Sequence, residues 1–337
     1  MTTLLTPTTN PGSLPLLPRP SSISGFGLFY APGFSPLTRE DIILDLKTPL
    51  LSIPGDKYLD EVCSWCMEWR PAKKDVYGKG KTPDPEDVEK ELKKCTGCKV
   101  VRYCSRECQK HAWSDHHKLE CPRYAALYPR VLPASVRACV RLLLLKERLP
   151  KALWEFGILK LDDHVRDFES EGGERWGMIN LMAKGAHGYS GTELSEREVR
   201  GLYCMILTNT FAITPPTSDV QIGLSFDPLL AKINHSCCPN ARIDITGKEA
   251  AVTAVTDVNV GDEVTVSYVD TEMNVEARRK ELRETWFFEC KCEKCKVELG
   301  GGKWKDGMLE DIKKSERDVP AGNKSEEVRG FVVEEMD

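Results

Sequence analysis

The chain has 337 residues, 41% of them hydrophobic and 29% charged, with a formal charge of −5. That length holds one large domain or two ordinary ones, and the acidic balance argues against an overall nucleic-acid binder. Fourteen cysteines exceed what an ordinary intracellular core uses, so they are disulfides or metal ligands.

The opening MTTLLTPTTNPGS has no basic n-region and no apolar h-region, so no secretory signal is expected there. The longest leucine run, Leu142 to Leu145, is too short to span a bilayer. An intracellular home, nucleus or cytoplasm, is therefore expected, with no membrane partner. In a reducing compartment clustered cysteines read as metal ligands. Residues 1–22 read as a flexible arm rich in Thr, Pro, Ser and Leu. Strands are predicted around GFGLFY and DIILDL in the next segment, 23–60.

A cysteine cluster fills 61–122, with a polar loop over 71–90. A helical block follows at 123–215. Val136, Cys139, Val140, Leu143 and Leu144 share one helix face, and Pro150 should end that helix. Val199, Leu202, Tyr203, Ile206 and Leu207 repeat the spacing, behind a Ser195/Glu198 capping box. Cys139 and Cys204 belong to these faces as buried hydrophobes. From 216 to 288 the period shortens. ARIDI and AAVTAV read as strands, and Val264, Val266 and Tyr268 alternate with Glu263, Thr265 and Ser267 as in a half-buried strand. A short cysteine-rich stretch, 289–297, leads into a charged tail, 298–337.

Four close pairs stand in the first cluster: Cys63/Cys66, Cys95/Cys98, Cys104/Cys108 and His117/Cys121. Eight ligands fill two tetrahedral zinc sites. His111 and His116 lack the H-x3-C spacing and are expected at the surface. Cys290, Cys292 and Cys295 form a further set one ligand short, which Cys237 or Cys238 could complete. Eleven thiolates against three divalent ions make the loaded chain more acidic still. Lys93, Lys94, Lys99, Arg102, Arg106, Lys291, Lys294 and Lys296 lie beside the ligands in sequence and are expected to offset that charge.

The stretch ending YCSRECQKHAWSDHHKLEC resembles a MYND zinc finger. The resemblance implies interleaved binding, with one zinc on Cys63, Cys66, Cys104 and Cys108 and the other on Cys95, Cys98, His117 and Cys121. Three separated segments add to it: Gly25-Phe26-Gly27, Asn234-His235-Ser236-Cys237-Cys238-Pro239-Asn240, and Gly261 to Tyr268, followed by WFFECKCEKC. In that order they are similar to a SET domain with its post-SET segment, and the whole resembles the SET and MYND family over residues 23–297. The implied fold is α+β: a mainly β SET domain with a helical insertion, an inserted finger and a cysteine-rich post-SET segment.

The implied activity is protein-lysine N-methylation with S-adenosylmethionine. Gly25, Phe26, Gly27, His164, Asn234, His235, Tyr268 and Phe288 would form the cofactor pocket. Tyr268 would be catalytic at the lysine channel, and Cys237 would complete a third zinc site. Two departures stand out. Phe26 replaces a residue that is often polar, and Trp286 replaces a second channel tyrosine. The implied partners are a protein lysine, histone or not, and proline-rich peptides on the finger, with the chain as a monomer. Methyl transfer demands an aligned, neutral amine, so positioning and desolvation carry much of such a reaction. The competing reading is an adaptor that binds peptides through its finger, with a weak or inactive SET fold.

Overall fold

The computed structural model describes residues 15–71, 91–216, 218–305 and 307–308. Most of the tail, of the first arm residues and of the polar loop lies outside them. The arm expected over 1–22 is not all arm: Leu16–Pro20 forms strand β1, antiparallel to β2 (Phe26–Tyr30). Leu16 is buried and the outer residues are exposed, so one leucine and a backbone ladder anchor the segment.

Among the described residues, four small sheets carry the β part. The first orders β1 and β2 with β12 (Glu263–Val266) and β9 (Asn234–His235). The second places β11 (Glu249–Ala254) between β10 (Ala241–Thr246) and β3 (Ile42–Leu46). The third places β8 (Gly223–Phe226) between β4 (Leu51–Pro54) and β7 (Phe211–Ile213). The finger holds the fourth, β5 (Lys93–Lys94) with β6 (Arg102–Tyr103). β12 departs from the expected alternation, because Thr265 is buried along with Val264 and Val266. It pairs with β2 on one side and, in parallel, with β9 on the other, so it is interior. Thr265 stays satisfied because its N–H donates to Asn240 Oδ1 at 2.8 Å.

Helices α1 (Arg106–Ala112) and α2 (Lys118–Leu127) close the finger. The helical core then packs α3 (Ala134–Leu145), α4 (Val165–Glu171), α5 (Gly173–Ser190) and α6 (Glu196–Asn209). Ser195 and Glu198 form the capping box in front of α6. Cys139 and Cys204 are fully buried in this core. Two further helices, α7 (Val275–Trp286) and α8 (Glu293–Leu299), flank the cysteines from Cys290 to Cys295. Among the described residues no helix is long and apolar enough to cross a membrane.

One hairpin ties the finger to the sheets. Gly247, at the tip between β10 and β11, lies against the Cys66 carbonyl, and Lys248 Nζ sits over the Trp65 ring. Burial pushes the Lys248 ammonium down to about 8, with Asp115 opposing.

Candidate active site and metal centres

Among the described residues, eleven of the fourteen cysteines and one histidine gather into three clusters of four: Cys63, Cys66, Cys104 and Cys108; Cys95, Cys98, His117 and Cys121; and Cys237, Cys290, Cys292 and Cys295. Ligand atoms in each lie within 4.8 Å of one another, and each set fits a tetrahedral zinc site. Along the finger the ligand pairs alternate between its two clusters. Cys238 stays outside the third set, its Sγ 3.4 Å from Ser236 Oγ.

The groups that support these clusters differ from the sequence expectation. His117 Nε2 faces Cys95 and Cys98 at 3.4 and 3.6 Å, while its Nδ1 lies 3.4 Å from Glu120 Oε2. Glu120 is fully buried. Burial alone would raise its carboxyl, but Arg141, His116 and His117 together outweigh burial and hold it far below the usual carboxylate range. Arg141 donates to Glu120 at 2.5 Å and to the Ser52 carbonyl at 2.8 Å. A carboxylate behind a ligating histidine fixes its tautomer and ring orientation. His116, expected at the surface, is 5% exposed; its ring stacks on Trp65, with Nδ1 3.0 Å from Asp115. His111 is exposed and stacks on the same indole.

Several cations expected to offset the thiolates pair elsewhere: Arg102 with Asp60, Lys296 with Glu293, Lys294 with the Thr271 carbonyl. The buried Arg278 serves the third cluster instead, 3.9 Å from Cys295 Sγ and paired with Glu298. Sequence proximity misled here because the helix α7 brings its arginine from a distance.

Gly25, at the turn before β2, has a positive φ of 44° and nothing within 4 Å of where a Cβ would stand. Phe26 is 64% exposed. Asn234, on β9, donates through Nδ2 to the Ser24 carbonyl at 3.2 Å and to Glu263 Oε1 at 2.7 Å. The His235 ring is buried and lies between Tyr268 and the third cluster. Its Nδ1 accepts the Tyr268 N–H at 3.0 Å, and its Nε2 lies 3.2 Å from Cys237 Sγ. Burial pushes this imidazole down to about 4, so it is neutral, as an Nδ1 acceptor must be.

Tyr268 follows β12. Its hydroxyl donates to the Ile233 carbonyl at 2.7 Å. Burial first, and then the Glu263 charge, raise its pKa, so the phenol stays protonated. Around it stand Trp286 at 5.2 Å, His235 at 5.3 Å and Phe288 at 6.4 Å between ring centroids. The Trp286 Nε1–H donates to the Thr208 carbonyl at 3.0 Å.

His164 is placed differently. It caps α4 at φ 50°, bonds Asp167 through Nδ1 at 2.9 Å, and packs 5.3 Å from Phe287. Phe287 escaped the sequence reading. It ends α7 at φ 60°, with its ring edge-on to Phe168 at 4.7 Å and under the Arg175 guanidinium. A left-handed phenylalanine is uncommon; here it turns the chain between Trp286 and Phe288. Nothing in a FFEC stretch marks which phenylalanine takes that conformation.

The MYND finger family model matches residues 63–121, and the SET domain model matches 96–269, more than half of the chain. The chain belongs to the SET and MYND family. The SET match begins after β1 to β4; β2, β3 and β4 pair with strands inside it, and β1 joins through β2. Among relatives, SET domain and MYND-type zinc finger protein 6 of Schizosaccharomyces pombe is 30% identical over 270 residues, covering 78% of this chain and 50% of that protein. Histone-lysine N-methyltransferase SMYD3 of Homo sapiens is 30% identical over 245 residues, 68% of this chain and 56% of its own. N-lysine methyltransferase SMYD2 of Rattus norvegicus is 32% identical over 212 residues, 60% and 48%. This SET and MYND chain spans about half the length of the curated relatives it matches.

Proposed function

We propose that the chain is a protein-lysine N-methyltransferase dependent on S-adenosylmethionine. The observation that carries this reading is the convergence of three distant segments. The Gly25–Gly27 turn meets the Asn234 amide, and Tyr268 meets Trp286 and Phe288. A pocket with open backbone at Gly25 and a polar amide at Asn234 suits an amino-acid end, and Phe288 offers an apolar face to an adenine. When bound, the cofactor supplies a methyl group made electrophilic by a sulfonium. The residues of the chain do the rest. Tyr268 and Trp286 wall an apolar channel that strips water from a lysine and favours its neutral, nucleophilic form. The protonated Tyr268 orients and stabilises electrostatically; with a raised pKa it is no general base. His235 holds Tyr268 by its backbone N–H.

The test is a melting-temperature shift with S-adenosylmethionine, which binding to the folded state must raise. Asn234→Ala should abolish the shift while zinc content stays unchanged. A wild type without a shift overturns the reading. A second reading, an adaptor that docks proline-rich peptides on its finger, is favoured by Trp113, which is 44% exposed on the finger surface. Turnover on a histone and peptide mixture separates the two. The substrate protein lysine, an intracellular location and a monomeric state belong to the same proposal.

A further inference from the structure

We propose that Glu263 is a positioning residue: it locks the Asn234 amide with its oxygen toward the ligand, so that the pocket selects an α-ammonium. This deepens the cofactor reading above and rests on it. The orientation of an amide is decided by its neighbours. Around Asn234 Nδ2 stand the Ser24 carbonyl at 3.2 Å, the Phe26 carbonyl at 3.5 Å and Glu263 Oε1 at 2.7 Å. All three are acceptors, so only the NH₂ can face them. Oδ1 is then turned away, and among the described residues no protein donor takes it. An amide oxygen left open fits a cationic donor and repels a carboxylate.

Glu263 is itself held firmly. Its backbone sits opposite Phe29 in the β12–β2 ladder, and its carbonyl accepts from Asn240 Nδ2 at 2.9 Å. Its second carboxylate oxygen accepts from Ser21 Oγ at 2.8 Å. The same carboxylate accounts for the second glycine of the turn. A Cβ on Gly27 would lie 1.9 Å from Glu263 Oε1 and 2.9 Å from Asn234 Nδ2. Gly27 therefore keeps room for a protein side chain, whatever it also does for a ligand. A methyl there would push the carboxylate off Asn234 and free the amide to turn.

The experiment measures, by calorimetry, the affinities of S-adenosylhomocysteine and of its deaminated analogue, in which hydrogen replaces the α-amino group. The variants are Glu263→Ala, Glu263→Gln, Gly27→Ala and the Gly27→Ala/Glu263→Ala double, each checked for zinc content and a cooperative melt. Glu263→Ala should lose about tenfold or more on S-adenosylhomocysteine, the scale of one charge-assisted hydrogen bond, and stay within about twofold on the analogue. Glu263→Gln keeps an acceptor for Asn234 and a donor for Ser21, so it should bind nearly as wild type does. Gly27→Ala should resemble Glu263→Ala, and the double variant should lose nothing further. Equal loss on both ligands, no loss, or a Gln variant as weak as Ala overturns the assignment of Glu263 alone. A wild type that binds neither ligand overturns the cofactor reading itself.

Discussion

An indole whose N–H is spent on the Thr208 carbonyl offers a bound amine only its face. A tyrosine at position 286 would offer a hydroxyl and take less room. One hydrogen bond to a group of developing charge is worth about 1.5–3 kcal/mol, or about one to two decades of rate. Trp286→Tyr should therefore raise turnover or extend methylation beyond one methyl, read by mass spectrometry of the product. Tyr268→Phe should remove most of the activity with cofactor affinity retained. Efficient trimethylation by the wild type would show that Trp286 does not restrict the number of methyl groups added. Glu120→Gln should weaken zinc at the His117 cluster about 10–100-fold against a competing chelator. It should also cost about 3–5 kcal/mol in urea melts, because Arg141 is left buried without its counter-charge. The ligands were legible because thiolate spacing is local. Glu120, Arg141 and Arg278 were not, because their pairings cross between elements. One signal was present: Arg137 and Arg141 interrupt the apolar helix ASVRACVRLLLL one turn apart, and both are buried.

Among the elements, the β10–β11 hairpin sets how the finger meets the sheets. Its tip residue Gly247 has φ 58°, and a Cβ there would lie 2.9 Å from the Cys66 carbonyl, a backbone atom that cannot swing aside. Gly247→Ala should cost about 1–3 kcal/mol through the left-handed backbone alone, and it should loosen the first zinc cluster as Cys66 is displaced. Protection of the Cys63–Cys66 amides in hydrogen exchange reports this; unchanged protection would mean that the hairpin merely rests on the finger. Helices α3 and α6 were readable from their 3.6-residue period and the α6 cap, but their burial was not: α3 is buried nearly all round, and Leu207, expected on the α6 face, is exposed. β1 was not readable, because four of its five residues are exposed and its evidence is a backbone ladder. β12 was readable as a strand, but its interior place was not. Burial of Thr265 depends on Asn240, 25 positions away in the chain.

For the whole molecule, carefully prepared protein should carry three zinc ions per chain. A ratio near two would leave the post-SET cysteines without an ion, and with them the contact through which His235 reaches Cys237. Removing metal should unfold the finger, since structural zinc supplies folding energy directly. The alternation of ligand pairs along the finger has a further consequence. The segment from Cys95 to Cys98 lies inside the span closed by the Cys63 cluster, and Cys104 to Cys108 lies inside the span closed by the Cys95 cluster. Filling either site therefore shortens the loop that the other must close, and part of the entropic cost of the second closure is met by the first. Loading should be cooperative. In native mass spectrometry under zinc titration, finger states with both ions or neither should dominate, and the singly loaded species should stay scarce throughout.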